Sequence, residues 1–449
     1  MICFVLNAFG IGDTLKKSFG QNFSHVRRII KQKNPMQNTS TAIFRVFLPF
    51  AFGYFLSYLF RVVNAVIAPD IVKDLNIDPS QLGLLTATYF ISFAASQMPL
   101  GILLDRFGPR IVESLLLIFA GLGAFIFARS DSLGGVILGR AFIGFGVSAC
   151  LMAAFKSYVL WFPSVMWPRI NGFQMAAGGL GALSATLPVE CVLKVTDWRG
   201  LFFILAGLCF MVALAVFLIV PEKQSDTKLE TVSKQLDGLK TILGSQDFWQ
   251  VAPLTALSQA GYLSLQGLWA GPWLKDVAGL QRTDVAFVLS CSATAMIAGY
   301  ILLGLLGETL AKKGIPILLT AVGGITAFIG IQFAIALQLP LPPVLVWTNF
   351  GFFGTSGILA YAALSYMYPK HLSGRVTTSV NMLVFIAAFC LQWLIGIIMN
   401  LWETSATGQY HPAGYKAGFL TVLALQMSGL IWFMVILLKA KRKNNFFKK

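Results

Sequence analysis

The chain has 449 residues, of which 57% are hydrophobic and 12% charged, whereas an ordinary soluble domain carries about 25% charged residues. With a mean hydropathy of +0.74, these proportions exclude a soluble globular protein and point to an all-α polytopic membrane protein. The net charge of +16 gathers in the tails and in alternate loops, as a cytoplasmic membrane face requires, and is a poor match for nucleic acid as a partner.

Residues 1–41 read as a basic cytoplasmic extension. Its apolar patch Ile2 to Phe9 has no basic residue before it and no small-residue cleavage site after it, so it fails as a signal peptide. Lys16, Lys17, Arg27, Arg28, Lys31 and Lys33 follow, suited to anionic headgroups of the bilayer. A start at Met36 is the alternative reading. Twelve apolar spans can then be drawn: 42–68, 81–104, 111–128, 134–162, 169–193, 199–220, 248–272, 283–307, 315–336, 342–367, 375–400 and 415–438. They divide into an N-terminal bundle of six (42–221), a charged loop (222–247) and a C-terminal bundle of six (248–438), followed by a basic tail (439–449). An even number places both termini on one face, and the positive loops make that face cytoplasmic.

In the first span, Tyr54, Tyr58, Arg61 and Ala65 recur at helical spacing. A face with two phenols and a guanidinium recognises a carboxylate, phosphate or similar anion through charge-assisted hydrogen bonds. The alternative is an arginine that snorkels to the outer interface or bonds helix carbonyls.

After the second span comes Gly101-Ile-Leu-Leu-Asp105-Arg106-Phe-Gly108-Pro109-Arg110. Gly101 is expected to let another helix come close, and Gly108 with Pro109 to force a tight non-helical turn. Asp105 suits the positive N-terminal end of a neighbouring helix. Arg106 and Arg110 suit acidic headgroups or another helix's C-terminal carbonyls. As G-x-L-x-D-R-x-G-x-R, with every fixed position present, the stretch resembles the signature loop between transmembrane helices 2 and 3 of the major facilitator superfamily. The resemblance implies twelve helices in two pseudo-symmetric six-helix bundles, a secondary carrier working as a monomer, and a role for Asp105, Arg106 and Arg110 in stabilising the outward-open state.

In the fourth span Arg140-x-x-x-Gly144-x-Gly146 is similar to that family's fourth-helix motif, which implies proton linkage in many members. Two readings stand: an influence on a proton site, and a structural role with the glycines permitting close packing. No acid is expected as deep as these basic groups, Glu113 and Glu190 falling near span ends. Lys156 lies about 24 Å along the helix from Arg140, so the two cannot share a site; it lines the inner cavity or reaches the cytoplasmic headgroups. The fifth span lacks the antiporter pattern of Gly-Pro followed by paired glycines.

The stretch Thr227 to Leu243 in the central loop reads as an amphipathic surface helix. Beyond it the chain repeats itself weakly: Gly101, Leu103, Asp105 and Arg110 are echoed by Gly304, Leu306, Glu308 and Lys313, and Pro163 and Arg169 by Pro369 and Arg375. The near-constant offset fits two related halves about an axis normal to the membrane. The seventh span carries Gln259, Tyr262, Gln266, Trp269 and Trp273 at steps of three and four, a stripe read as lining a cavity, with packing against a neighbouring helix as the alternative; Gly267, Gly271 and Pro272 near its outer end allow a bend. In the eleventh, Asn381, Phe385, Ala388 and Gln392 make a second stripe. Gln97 and Gln174 add further amides.

Six scattered cysteines (Cys3, Cys150, Cys191, Cys209, Cys291, Cys390) and three histidines (His25, His371, His411) form no metal-binding spacing. The expectation is no metal, no cofactor and no enzyme, with a proton as the candidate coupling ion. The leading reading is a secondary transporter of a small anionic or zwitterionic organic solute (an organic acid, peptide, amino acid or siderophore), working by alternating access in a bacterial inner membrane. An exporter of amphiphilic drugs or metabolites and a transport-deficient receptor are the alternatives.

Overall fold

The computed structural model describes residues 39–163, 166–222, 240–405 and 409–442. The basic extension before residue 39, the expected surface helix up to residue 239 and the end of the basic tail lie outside the described residues. The chain divides into two units, Met1–Arg45 and Val46–Lys449. Of the first, the described part is the helical turn Thr39–Ala42 and the start of a wide π-turn at Ile43.

The second unit is built from helices, which group among the described residues into twelve rods: α1 (48–75), α2 (79–107), α3 (109–129), α4 (133–161), α5 (167–193), α6 (198–219), α7 (246–276), α8 (282–312), α9 (317–336), α10 (343–366), α11 (370–399) and α12 (412–442). Among the described residues, ten helices are long and apolar enough to cross a membrane. The spans expected at 81–104 and 248–272 are helical but do not reach that measure as drawn. Thr86, Thr88, Ser92, Ser96 and Gln97 in α2, and Thr255, Ser258, Gln259, Ser264 and Gln266 in α7, lower their apolar content. Several of these side chains face protein, as the contacts below show, and a helix facing protein needs less apolar surface than one facing lipid.

Side-chain caps start several rods. Asp78 Oδ1 accepts from the Gln81 N–H at 2.9 Å while the Asp78 N–H donates to Gln81 Oε1 at 3.0 Å, a reciprocal pair that opens α2. Ser132 and Asp197 cap α4 and α6 by accepting from Gly135 N–H and Gly200 N–H. Between α2 and α3 the chain turns at Gly108, whose φ of 76° and ψ of 161° suit a residue without a Cβ.

The halves meet along seams that exchange under the duplication: α2 packs on α11, α5 packs on α8, and α1 faces α7. Adding six to each label of the first pair gives the second, the relation a two-fold pseudo-axis requires. The central pair is irregular in both halves. α1 passes through an irregular turn at Val63, whose dihedrals stay helical, between Leu48–Val62 and Asn64–Leu75, and α7 widens to a π-turn at Leu265–Trp269. The α2–α11 seam runs antiparallel, joined by Asn400 to Asp78 (2.9 Å), Trp393 to Ser80 (3.3 Å), Gln392 to Thr86 (2.6 Å) and Asn381 to Gln97 (3.4 Å). On α5–α8, the Thr186 and Ser290 hydroxyls share a hydrogen at 2.7 Å.

Candidate functional site

Helical spacing brings Tyr54, Tyr58 and Arg61 to one face of α1, and the packing turns that face to the seam between halves. Arg61 is 7% exposed. Its guanidinium carbon lies 4.4 Å from the centroid of the Tyr58 ring, 5.2 Å from that of Phe385 on α11 and 5.6 Å from that of Phe93 on α2. Among the described residues no ion pair includes Arg61, and its buried Nε has no hydrogen-bond partner. A charge at the membrane centre costs about 2.5–3.5 kcal/mol on insertion scales, and a desolvated cation–π contact contributes about 2 kcal/mol. The rings therefore offset much of that cost, and Nε is left as a donor available to an anion.

Around this cage the polar groups come from both halves. The Tyr58 and Tyr300 hydroxyls meet at 3.2 Å, linking α1 to α8. Tyr54 packs edge-on to Tyr58 at 5.1 Å and points its hydroxyl at Met175 Sδ, 3.6 Å away. Asn381 and Gln97 each lie one turn from a cage phenylalanine, Phe385 and Phe93, and Tyr361 O–H reaches Asn381 Oδ1 at 3.5 Å.

The α7 stripe divides. Trp269 is fully buried, donates to the Gln392 carbonyl at 3.1 Å and lies against Gly83 of α2, so it seals the seam. Gln266 donates to Met296 Sδ at 3.6 Å. Tyr262 packs on Phe350 and Phe328 at 5.4 and 5.9 Å, and its buried hydroxyl has no partner.

Arg140 braces the neighbouring backbone. Its Nη1 donates to the Phe60 carbonyl at 3.0 Å, and its guanidinium stands over the Tyr89 ring at 5.1 Å. Tyr89 in turn donates to the Ser57 carbonyl at 3.2 Å. Gly144 and Gly146 lie directly against the backbones of Tyr89 and Ala120, the close packing expected of them.

Lys156 of α4 stands apart from the cage, against the signature loop. Its ammonium pairs with the Asp105 carboxylate and donates to the Leu104 carbonyl at 2.8 Å, so Asp105 meets a lysine where a helix N-terminus was expected. Arg110 stands 3.8 Å from Glu222, just past the end of α6, and over Phe217. Arg106 folds over Phe107. The expectation for Gly101 fails: a Cβ there would meet open space. In the repeated motif, Glu308 pairs with Lys312 at 2.7 Å on the surface, and Lys313 ends the helix.

Two acids near span ends are enclosed by protein: Glu113 is 0% exposed and Glu190 is 5% exposed. Glu190 accepts from Arg282 Nε at 2.7 Å, and the same guanidinium grips both oxygens of Asp70 at 2.8 and 2.7 Å. Arg282 thus ties α8 to α1 and α5 on the side opposite the Arg106 loop. Beside it a pocket of about 700 Å³ opens between α1 and α7, lined in part by Asp70, Lys73, Lys275 and Asp276. Past the outer end of the first span, the Trp198 indole foremost, joined by the Arg199 guanidinium, holds the Asp74 carboxyl below the usual carboxylate range against the opposing effect of burial. No group of residues suited to a metal occurs among the described residues. Phe93, Tyr300, Tyr361 and Arg282 are the site and seam residues that sequence reasoning did not pick out.

The Major Facilitator Superfamily model matches residues 50–392. The chain is similar to the hexuronate transporter of Escherichia coli (strain K12), 23% identical over 252 residues, covering 52% of this chain and 58% of that protein. It is also similar to the galacturonate transporter of Dickeya chrysanthemi, 24% identical over 216 residues, 44% and 63% of the two chains. The chain thus spans about three fifths of the length of these two relatives. Among solved structures, a bacterial homolog to the human lysosomal transporter Spinster, inward-facing and unoccupied, aligns with a TM-score of 0.67 at 17% identity over 89% of this chain and 96% of that one.

Proposed function

Because the chain belongs to the Major Facilitator Superfamily, we propose that it is a secondary transporter, carrying a small organic anion that binds Arg61 as the two halves alternate in access. One observation carries this reading: a buried guanidinium on the seam, held by aromatic rings, with no carboxylate paired to it and its Nε unbonded. A planar fork of that kind matches a carboxylate through two parallel hydrogen bonds. The two uronate transporters named above support a carboxylated sugar as the class of solute.

In this reading Tyr58, Tyr54, Asn381, Gln266 and the Tyr262 hydroxyl orient the polar body of the solute, and Trp269 closes the seam beside it. Asp105, Lys156, Arg106 and Arg110 set the conformational balance at the inner loop, and Arg140 holds the backbone that carries Arg61. The protein works as a monomer in a bacterial inner membrane with both termini cytoplasmic, its basic loops on anionic headgroups.

Uptake of labelled D-glucuronate into proteoliposomes tests the proposal, with wild type compared against Arg61→Ala. Uptake that other carboxylates compete for, and that the variant loses, is expected. Equal uptake by both proteins removes Arg61 from the site. Competition by lipophilic cations in place of carboxylates favours an exporter of amphiphiles, and binding without movement favours a receptor.

A further inference from the structure

The Arg61 site leaves one buried acid unused. Glu113, one turn into α3, is 0% exposed, and neither carboxyl oxygen has a hydrogen-bond partner. Among the described residues no cation forms an ion pair with it. One oxygen presses on α1 at Gly53, where a Cβ would collide with it, and the Cys150 thiol of α4 flanks the same spot. The other titratable groups around it are Tyr158 on α4, Cys209 of α6 beside Cys150, and Arg61 further along α1. None of them is a base beside the carboxyl.

A carboxylate stripped of water, hydrogen bonds and counter-charge is costly, so in this packing the group is carried as the neutral acid. Its cover is α1, the helix that also carries Arg61 eight residues on, about 12 Å along the axis. Gly53 is what lets α1 lie flat on the acid.

We propose that Glu113 is the coupling protonation site of the transporter: the acid form permits α1 to close over it, and withdrawal of α1 lets water in and the O–H proton out to solvent. This rests on the transporter reading above, with the proton bound and released as such and no other bond changed. Anion on Arg61 and proton on Glu113 then act on a single rod, which links the two loads without direct contact between them.

Two measurements on the purified full chain test it. Infrared difference spectra between alkaline and acidic pH are expected to show the carbonyl stretch of a protonated carboxylic acid in wild type, lost in Glu113→Gln and retained, shifted, in Glu113→Asp. In proteoliposomes under an inward proton gradient, Glu113→Gln is expected to lose accumulation of D-glucuronate while keeping D-glucuronate exchange at equal pH, which also shows that the variant is folded. Glu113→Asp is expected to recover accumulation in part. An infrared band insensitive to the Gln substitution, or undiminished accumulation by that variant, overturns the proposal. If wild type moves no D-glucuronate, the substrate reading fails on its own and the infrared arm still decides the assignment.

Discussion

Phe93 and Phe385 stack face to face across the two halves, their centroids 4.1 Å apart and their planes 17° from parallel, and the Arg61 guanidinium stands beside both rings. A cation on the seam is thereby tied to whether the halves are together. When the seam opens, the stack parts and Arg61 loses a ring on one side.

Arg61→Lys keeps a positive charge and removes the planar fork. A charge-assisted hydrogen bond contributes about 1.5–3 kcal/mol, so the lysine variant is expected to bind D-glucuronate roughly ten- to a hundred-fold more weakly, and Arg61→Ala weaker still. Isothermal titration against both variants reads this directly; equal affinity of the lysine variant and wild type would contradict a bidentate role.

Gly144→Ala is expected to destabilise the protein by about 1–3 kcal/mol, the range for overpacking, because its Cβ would enter the backbone of Tyr89. Gly101→Ala faces open space and is expected to cost nothing measurable. Thermal unfolding of the two variants in the same detergent should separate them clearly.

Removing one acid from the Arg282 bridge should loosen the side opposite the Arg106 loop. The Glu190 side chain is 6% exposed and the Asp70 side chain 32%, so Glu190→Gln is expected to have the larger effect. The Arg282 side chain is itself 43% exposed and keeps its other carboxylate in either variant, so the loss is expected to stay near the range of an exposed pair, about 0–1 kcal/mol. Distances between spin labels on α1 and α8 should lengthen in the variants; unchanged distances would show that the bridge does not close that side.

Asp74 gives a pH dependence of definite sign. Hydrogen bonds from Trp198 and Arg199 depress its carboxyl in the folded state, so its contribution is fully present above the usual aspartate range and is lost as pH falls through the lowered value. For a partly exposed group this amounts to about 0.2–1 kcal/mol. The gap in melting temperature between wild type and Asp74→Asn should therefore be present at neutral pH and vanish on acidification.

The Arg61 stripe was legible in the sequence because helical spacing alone puts Tyr54, Tyr58 and Arg61 on one face. Its cage was legible only in part: Phe385 belonged to the eleventh-span stripe, whereas Phe93 looks like any lipid-facing phenylalanine until α2 and α11 are paired. Glu113 escaped for a related reason. It follows Arg110 by three residues and reads as a charge at the edge of a loop, and its burial depends on α1 and α4 crossing over it. Gly101 erred in the other direction: the motif suggested close packing, and the neighbouring helix does not approach. Lys156 was read as lining the inner cavity or reaching the headgroups, and only the fold shows that its ammonium is taken by Asp105. Periodicity reports which face a residue occupies, and the tertiary crossing decides what that face meets.

The irregular backbones of α1 and α7 lie against each other: a Cβ on Gly267, within the wide turn, would stand 3.3 Å from the Arg61 carbonyl, two residues before the irregular turn at Val63. Irregular turns at matching heights mark the level at which either rod would bend, and Arg61 lies at that level, so the proposed anion site would move least as the outer ends swing.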